Sequence, residues 1–251
     1  LLRKFVTEGL LVATVFVWTG STNALSIEPT KEDSTLAQVI TRELERRHLD
    51  SDTLFSKRKP MVGQLILKAI DPSRSLLTRE DIRQAEIDQL PDQIERGHLD
   101  MVYKLYGLSL TRSEERLDYW LKILGQGTSS IDLTDQEELS VRNEETPWAP
   151  DLLSLKDIWR KQLENQAIGL LLADRTEDQT YKALIRRYNS QKNRIEQTRP
   201  DDIFAGVINA YAGAYDPHTS YLPPADSETF NINMSLSLQG IGAVLQSEDE
   251  F

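Results

Sequence analysis

The sequence contains no cysteine. That absence excludes disulfide bonds, thiolate metal sites, a cysteine nucleophile and a lipid anchor on an N-terminal cysteine. Histidine occurs three times, as His48, His98 and His218, and these positions are too scattered to give a local metal-ligand spacing. We therefore expect neither a metal nor another cofactor.

Basic residues are also few, since the sequence has 29 Lys and Arg against 40 Asp and Glu, which gives a net charge of -11. An acidic surface repels phosphate backbones, which argues against nucleic acid as a partner. With 39% hydrophobic and 27% charged residues, the composition is that of a globular protein. The length fits one large domain or two small ones.

Long hydrophobic runs are missing as well. The apolar run from Leu10 to Trp18 is too short to span a bilayer, which takes about 20 residues. Two basic residues precede it and small residues ending at Ala24 follow it, as in a secretory signal. The sequence therefore predicts a signal peptide over 1–24, although Glu8 at the edge of the run leaves an N-terminal core helix as the alternative.

What the sequence does have is helical periodicity, with apolar residues recurring three and four positions apart up to residue 215. This predicts a mainly α fold, with a multi-helix domain over 25–215. The first predicted helix begins at Thr35, with Gln38 as its capping-box partner. The second covers 54–66, and Pro60 must lie near its start or kink it. Later helices are predicted to begin at Thr78 with Asp81 and to cover 99–124, 155–172, 177–197 and 201–215.

The stretch 125–151 is predicted to be a loop and a possible internal domain boundary, because glycines flank its start and "TPWAPD" closes it. A short strand at Ile131 and Leu133 is possible within it. The Arg and Lys residues of 177–197 are interpreted as a solvated helix face.

Two stretches resemble each other without gaps, "DPSRSLLTRED" from Asp71 and "DPHTSYLPPAD" from Asp216. Each follows an apolar helix. Two readings stay open, a chance similarity of two helix-ending turns and a structural repeat. Neither makes these residues catalytic.

The second of these stretches is predicted to be a turn. Pro217 disfavours helical backbone at Asp216, whose carboxylate can accept backbone N–H groups in an Asx-turn. Thr219 can act similarly. His218 is interpreted as a turn residue rather than a catalytic base, because a base needs a nucleophile and an orienting group beside it. The prolines at 223–224 are predicted to impose an extended segment.

After this turn, apolar and polar residues alternate from Met234, which predicts a half-buried β-strand over 234–246. Gly240 and Gly242 flank Ile241 and permit a bulge. Because an isolated strand is unstable, we expect its partner strands in a longer protein. The acidic residues at 248–250 lack the spacing of a calcium loop and are interpreted as a solvated turn.

The run "DPHTSYLPPADSETFNINMSLSLQGIGAVLQ" resembles the region before the PDZ domain of tail-specific, or carboxy-terminal processing, proteases of the Prc type, peptidase family S41. Upstream, "RRHLDSDTLFSKRKPMVGQLILKAID", "GHLDMVYKLYGLSLTRSEERLDYWLKIL" and "TPWAPD" resemble the helical N-terminal domain of that family more loosely. The residues taken as a structural signature are Asp216, Pro217, His218, Thr219, Tyr221, Leu222, Gly240 and Gly242.

The resemblance implies a serine-type peptidase with a Ser nucleophile and a Lys general base, acting on proteins with apolar C-terminal tails. These elements, and the PDZ domain to which 216–251 leads, are then expected beyond Phe251. The chain is expected to be inactive alone, periplasmic, at most peripherally membrane-associated, and a possible partner of a tetratricopeptide-repeat lipoprotein adaptor. The alternative is a stand-alone periplasmic helical protein-binding module without enzymatic activity.

Overall fold

The computed structural model describes residues 27–49, 54–127, 130–131 and 138–235. The mainly α prediction is confirmed, and the β structure among the described residues is a single bridge between Thr78 and Ala149. The helices are α1 (Lys31–Arg47), α2 (Leu54–Arg58), α3 (Met61–Ile70), α4 (Arg79–Gln84), α5 (Leu90–Glu95), α6 (Asp100–Leu124), α7 (Leu152–Leu171), α8 (Glu177–Glu196), α9 (Pro200–Ala212) and α10 (Pro224–Ser235), with a 3-10 turn at Ile87–Gln89 before α5.

A first hydrophobic core is built by α1 to α5, the N-terminal half of α6 and α9. Helices α3 and α9 pack against each other at its centre. Gly63 on α3 is required there, because a side chain at this position would collide with Ile87. Fully buried members of this core are Val62, Ile66, Leu77, Leu90, Ile94, Leu99, Tyr103, Val207, Ile208, Tyr211 and Tyr215.

A second hydrophobic core joins the C-terminal half of α6 to α7 and α8. Trp120 lies 4.7 Å from the ring of Tyr188, and its indole N–H donates to the carbonyl of Trp159 at 2.7 Å. Aromatic rings therefore fill much of this core, and the indole finds the hydrogen bond that burial requires.

The turn that follows α3 connects the two cores. The indole N–H of Trp159, from the second core, donates to the carbonyl of Ser75 at 2.6 Å. Arg116 on α6 donates to the Ser75 hydroxyl at 3.2 Å, and Arg142 donates to the carbonyl of Arg74 at 2.7 Å. The division between the two cores falls inside α6. The predicted domain limits, including the boundary within 125–151, stay predictions.

Two predicted helix starts have different outcomes. Thr78 and Asp81 form the capping box of α4, as predicted. The predicted start at Thr35 is wrong, because α1 begins earlier with a capping box between Thr30 and Asp33. This box places two acidic residues in the first turn, where the helix dipole favours negative charge. Gln38 instead donates to the carbonyl of Arg96.

Prolines mark other helix boundaries. Pro60 was predicted to lie near the start of the helix over 54–66 or to kink it, and in the structure α2 ends at Arg58 and α3 begins at Met61, directly after Pro60. Helix α9 begins at Pro200 and ends at Ala212, where turns carry the chain to Tyr215.

The extended segment predicted at 223–224 is wrong, because Pro224 opens α10. Proline suits the first helical position, where its fixed backbone angle is already helical and its missing N–H needs no partner. The predicted strand therefore does not begin at Met234, which is helical, and the rest of 234–246 lies outside the described residues. Ile131 is not in a strand, and Leu133 lies outside the described residues.

Among the described residues, no helix combines the length and the apolar character needed to cross a bilayer. The predicted signal peptide, 1–24, lies outside that part of the chain.

Candidate functional site

The signature residues that the structure describes form the turn after α9. The Oδ1 atom of Asp216 accepts the backbone N–H of His218 at 2.7 Å, so the predicted Asx-turn is confirmed. The hydroxyl of Thr219 donates to Oδ2 of the same carboxylate. Asp216 thus organises the turn through both of its oxygens.

His48, at the C-terminal end of α1, reaches this turn from far away in the sequence. Its Nε2 atom lies 2.8 Å from Asp216 Oδ2 and 3.1 Å from the Thr219 hydroxyl. We call His48, Asp216 and Thr219 the His–Asp clasp. Sequence reasoning counted His48 only as one of three scattered histidines, because nothing local to it signals a partner 168 positions away.

The clasp contains a histidine, a carboxylate and a hydroxyl, but its geometry is not that of a catalytic triad. In a triad, the carboxylate and the nucleophile contact different nitrogens of the imidazole, so that one nitrogen is oriented while the other accepts a proton. Here Asp216 and Thr219 both contact Nε2 of His48. The Thr219 hydroxyl also donates to Asp216. This arrangement holds the turn to the end of α1.

Hydrogen bonds to the clasp carboxylate favour its ionised form. The Thr219 hydroxyl, followed by the His218 N–H and the His48 ring, holds the pKa of Asp216 well below its usual range. The carboxylate is therefore charged at neutral pH, which suits its contact with an imidazole.

Tyr215 fixes the end of α9 against α2, immediately before the clasp. Its ring stacks on Phe55 with 3.8 Å between centroids, and it lies 5.1 Å from the ring of His48. The guanidinium of Arg58 donates to the Tyr215 carbonyl at 2.5 Å. Burial raises the pKa of Tyr215 to about 12, so the phenol stays neutral.

A second attachment holds the turn to α9 itself. The side chain of Asn209 accepts the N–H of Tyr221 at 2.6 Å and donates to its carbonyl at 3.1 Å. The Tyr221 ring stands edge-on to Phe204, 5.6 Å away. Asn209 was missed by sequence reasoning, because a polar residue in an apolar helix predicts no particular partner.

The remaining signature residues contribute less to this site. Pro217, Leu222 and the side chain of His218 are exposed, so His218 contributes its backbone N–H rather than its ring. Gly240 and Gly242 lie outside the described residues.

The resembling turn at Asp71 uses its carboxylate in a related way. It accepts the backbone N–H groups of Ser75, Leu76 and Leu77 at 2.8, 2.8 and 3.0 Å. Both turns therefore use an aspartate to hold backbone after a helix, and each leads into another helix, α4 or α10.

Beside the clasp, α1, α2, α5 and α9 enclose a cleft of about 250 Å³, which we call the α1–α9 cleft. It is lined by Gln38, Thr41, Arg42, Glu45, Phe55, Ser56, Lys59, Glu95, Tyr211 and Tyr215. Among the described residues, no group of three or more His, Asp or Glu side chains is placed to hold a metal ion.

One wall of this cleft is a chain of charged hydrogen bonds. The Tyr211 hydroxyl donates to Glu95 at 2.7 Å, and Lys59 donates to Glu95 at 2.7 Å and contacts Asp92 at 2.5 Å. Burial, followed by the bond to Glu95, raises the pKa of Tyr211 far above its usual range. Burial alone would lower the pKa of Lys59, but its two carboxylate partners outweigh burial and raise it.

Comparison with known proteins connects this arrangement to a family. Residues 40–225 match the family described as "Tail specific protease N-terminal domain", a range that includes both sides of the clasp and Asn209. The tail-specific protease of Haemophilus influenzae is 31% identical over 230 residues, which are 90% of this chain and 33% of the relative. The chain thus spans about a third of the length of this curated relative. A helical body closed by the Asp216 turn, matched over most of its length, places the chain in the tail-specific protease N-terminal domain family.

Proposed function

We propose that this chain is the helical scaffold portion of a periplasmic tail-specific serine protease, and that residues 1–251 alone do not hydrolyse proteins. The family match and the coverage of about a third of the Haemophilus influenzae relative support this role. The observation that carries it is the clasp, in which Asp216 and Thr219 share one nitrogen of His48. The clasp is the group of described residues that most resembles a catalytic triad, and in this proposal its role is structural.

As a scaffold, the clasp controls the direction in which the chain leaves the helical body. His48 ties the turn to α1, and Asn209 ties the following residues to α9. Two attachments on different helices fix both the position and the orientation of the segment that leads into α10. A protease body joined through this segment would be held at a defined angle to the helices.

The catalytic Ser and Lys, in this proposal, lie in other parts of the polypeptide. Its substrates are proteins with apolar C-terminal tails, and a tetratricopeptide-repeat lipoprotein is a possible adaptor. Nucleic acid is not a partner, and membrane association is at most peripheral. Export rests on the predicted signal peptide, so mass spectrometry of the exported protein is expected to find Leu25 at its N-terminus.

Hydrolysis can be tested with the chain alone and with a chimera. The purified 251-residue chain is expected not to degrade an unfolded reporter that ends in apolar residues. Replacing the matched third of the Haemophilus influenzae protease with this chain is expected to retain degradation of that reporter. The parent protease is the positive control, and the same reporter ending in acidic residues tests the tail preference.

Two outcomes would contradict the proposal. Hydrolysis that co-purifies with the 251-residue chain through successive columns would place catalytic groups within it. A chimera that folds but fails to degrade the reporter, while the parent protease does so, would instead favour the stand-alone binding module.

A further inference from the structure

We propose that a groove along α3 binds an extended basic segment of a partner protein, with Trp148 and the carboxylates of Glu86 and Asp88 as its main contacts. The groove lies between α3, the stretch from α4 to the 3-10 turn, and the segment 142–149. We call it the α3 groove. It is separate from both the clasp and the α1–α9 cleft, and it recognises positive side chains rather than a chain end.

The α3 groove consists of three adjoining cavities. The first, of about 420 Å³, and the second, of about 160 Å³, share Gln64, Leu67 and Trp148 in their lining. The third, of about 360 Å³, shares Lys68 and Glu144 with the second. Two wide cavities joined through a narrow one suit an extended chain better than a compact small molecule, which fits a single cavity.

Trp148 supplies aromatic surface to this groove. Its ring packs on the first core but is only partly buried. The guanidinium of Arg74 lies 4.8 Å from the ring centroid and donates to the carbonyl of Thr146 at 2.9 Å, so the ring already binds one cation. Arg74 lines the second cavity but not the first, whereas Trp148 lines both. The part of the ring that faces the first cavity is therefore open to a second cationic side chain.

Other cations of the groove are already paired. Lys68 contacts Glu144 at 2.8 Å, and Arg83 contacts Glu80 at 2.6 Å. The Arg83 pair is bidentate, since its Nε also donates to the second oxygen of Glu80 at 2.8 Å. An acidic ligand would have to displace one of these ion pairs, so the groove does not favour it.

Carboxylates, in contrast, are left over at both ends of the groove. Glu86 and Asp88 line the first cavity and Glu145 lines the third, and none of the three forms an ion pair with another described residue. Alternate side chains of an extended segment point to the same side, so Lys or Arg at every second position can reach these acids. The exposed amide of Gln64 can donate to and accept from the backbone of such a segment.

The backbone of two lining residues is strained. Arg74 and Glu86 have φ values of 48° and 45°, in the left-handed region that is unfavourable for residues other than glycine. They line the two cavities that share Trp148. Strain of this kind persists only where surrounding contacts hold it, and it is frequent where a protein grips a ligand. The backbone therefore agrees with the side chains in marking this groove as a binding site.

Binding can be measured by fluorescence anisotropy with the 251-residue chain and a labelled decapeptide of alternating Lys and Ser. Both ends of the peptide are blocked, so that no terminal charge contributes. We expect saturable binding, and a peptide with Gln in place of Lys is expected to bind roughly tenfold more weakly because it lacks the ion pairs. Spermine, added as a competitor, tests whether a small free cation suffices and is expected to displace the peptide poorly.

The decisive variant is the double substitution Glu86→Gln and Asp88→Asn. It is expected to weaken binding of the lysine peptide about fivefold, the combined scale of two partly exposed ion pairs. Asp226→Asn with Glu228→Gln on α10 is the matched control, since it removes the same charge at the same spacing from an exposed site outside the groove. The control should leave binding unchanged, and circular dichroism checks that both variants fold.

A substitution of Trp148 tests the aromatic contact separately. Trp148→Leu removes the ring and is expected to weaken the lysine peptide severalfold, while Trp148→Phe keeps a ring and should weaken it less. A Trp148→Leu protein that does not fold leaves the test with the double carboxylate variant, which alters only exposed side chains.

Three results would overturn the inference. They are an absence of saturable binding, equal binding of the Lys and Gln peptides, and equal effects of the two double variants, which would show attraction to the net charge of the chain alone. Displacement by spermine at concentrations comparable to those of the peptide would overturn the assignment to a polypeptide. None of these measurements involves hydrolysis, so their outcome is independent of the chimera described above.

Discussion

The turns at Asp71 and Asp216 begin with the same two residues and follow helices that pack on each other, yet they occupy opposite environments. The Asp71 side chain is buried and its partners are three backbone N–H groups. The Asp216 side chain is partly exposed, and most of its partners are side chains. One turn therefore joins the two cores from the inside, while the other closes the first core at its surface.

The difference shows that a shared local motif does not fix an energetic role. Both aspartates accept backbone N–H groups of the turn that follows a helix. Only at Asp71 is that backbone excluded from water, which makes an unpaired N–H far more costly than it is at the surface. We therefore expect substitutions at Asp71 to lower the free energy of unfolding much more than substitutions at Asp216.

The largest effect is expected from Asp71→Ala. Three buried N–H groups would lose their acceptor together, and the free energy of unfolding should fall by roughly 3–5 kcal/mol. Urea unfolding followed by circular dichroism measures this change. Asp71→Asn, which keeps one acceptor oxygen, is the control and should cost less. A loss of stability no greater than that of Asp216→Ala would contradict the assigned difference between the turns.

Trp159→Phe is expected to weaken the connection between the cores by about 1–3 kcal/mol, because it removes the hydrogen bond to the Ser75 carbonyl. Hydrogen exchange at the amides of Ser75 to Leu77 should become faster. Trp120→Phe is the matched control, since it removes a hydrogen bond that lies within the second core. If both variants change the exchange rates of those amides equally, Trp159 does not couple the two cores.

His48→Ala should have a smaller effect on global stability and a local effect on the clasp. The turn after Asp216 would lose its tie to α1 but keep its attachment through Asn209. Limited proteolysis should therefore become faster in 217–223, with little change in the helical circular dichroism. His98→Ala is the control histidine variant. Additive losses in a His48→Ala and Asp216→Ala double-mutant cycle would show that the two side chains do not interact.

The smallest effect is expected from pH. Because the pKa of Asp216 is depressed in the folded state, its contribution to stability is present above the unfolded carboxyl value and is lost as pH falls below it. The difference in melting temperature between the wild-type chain and Asp216→Asn should therefore be constant near neutrality and shrink below pH about 4. A difference that grows in acid would reverse the assigned sign.

Local sequence rules predicted the helical body well where one signal was dominant. Helix α6 follows its apolar repeat within one residue of the prediction, and Thr78 with Asp81 marks a helix start. The same local rules gave wrong predictions where two signals competed. Both Thr30 and Thr35 have a suitable partner three residues later, and the acidic first turn favours Thr30. Pro224 can continue an extended chain or open a helix, and the structure contains the helix.

The candidate site was predicted only in part for a different reason. The Asx-turn at Asp216 is local, since the carboxylate and the His218 N–H are two residues apart, and it could be read from the sequence. The contacts of His48 and Asn209 depend on how helices pack, which no local spacing reveals. The same is true of the α1–α9 cleft, whose lining comes from four helices.

The sequence by itself determined the helical class, the bounds of α6 and α8, the start of α4 and the Asp216 turn, because these depend on apolar periodicity, caps and turn residues that lie close together in the chain. The tertiary structure alone decided that α6 serves two cores, that Asp71 is buried while Asp216 is not, and that His48 closes the turn. Those outcomes arise from packing between segments far apart in the chain. Burial there, rather than residue type, sets the energetic weight of each hydrogen bond.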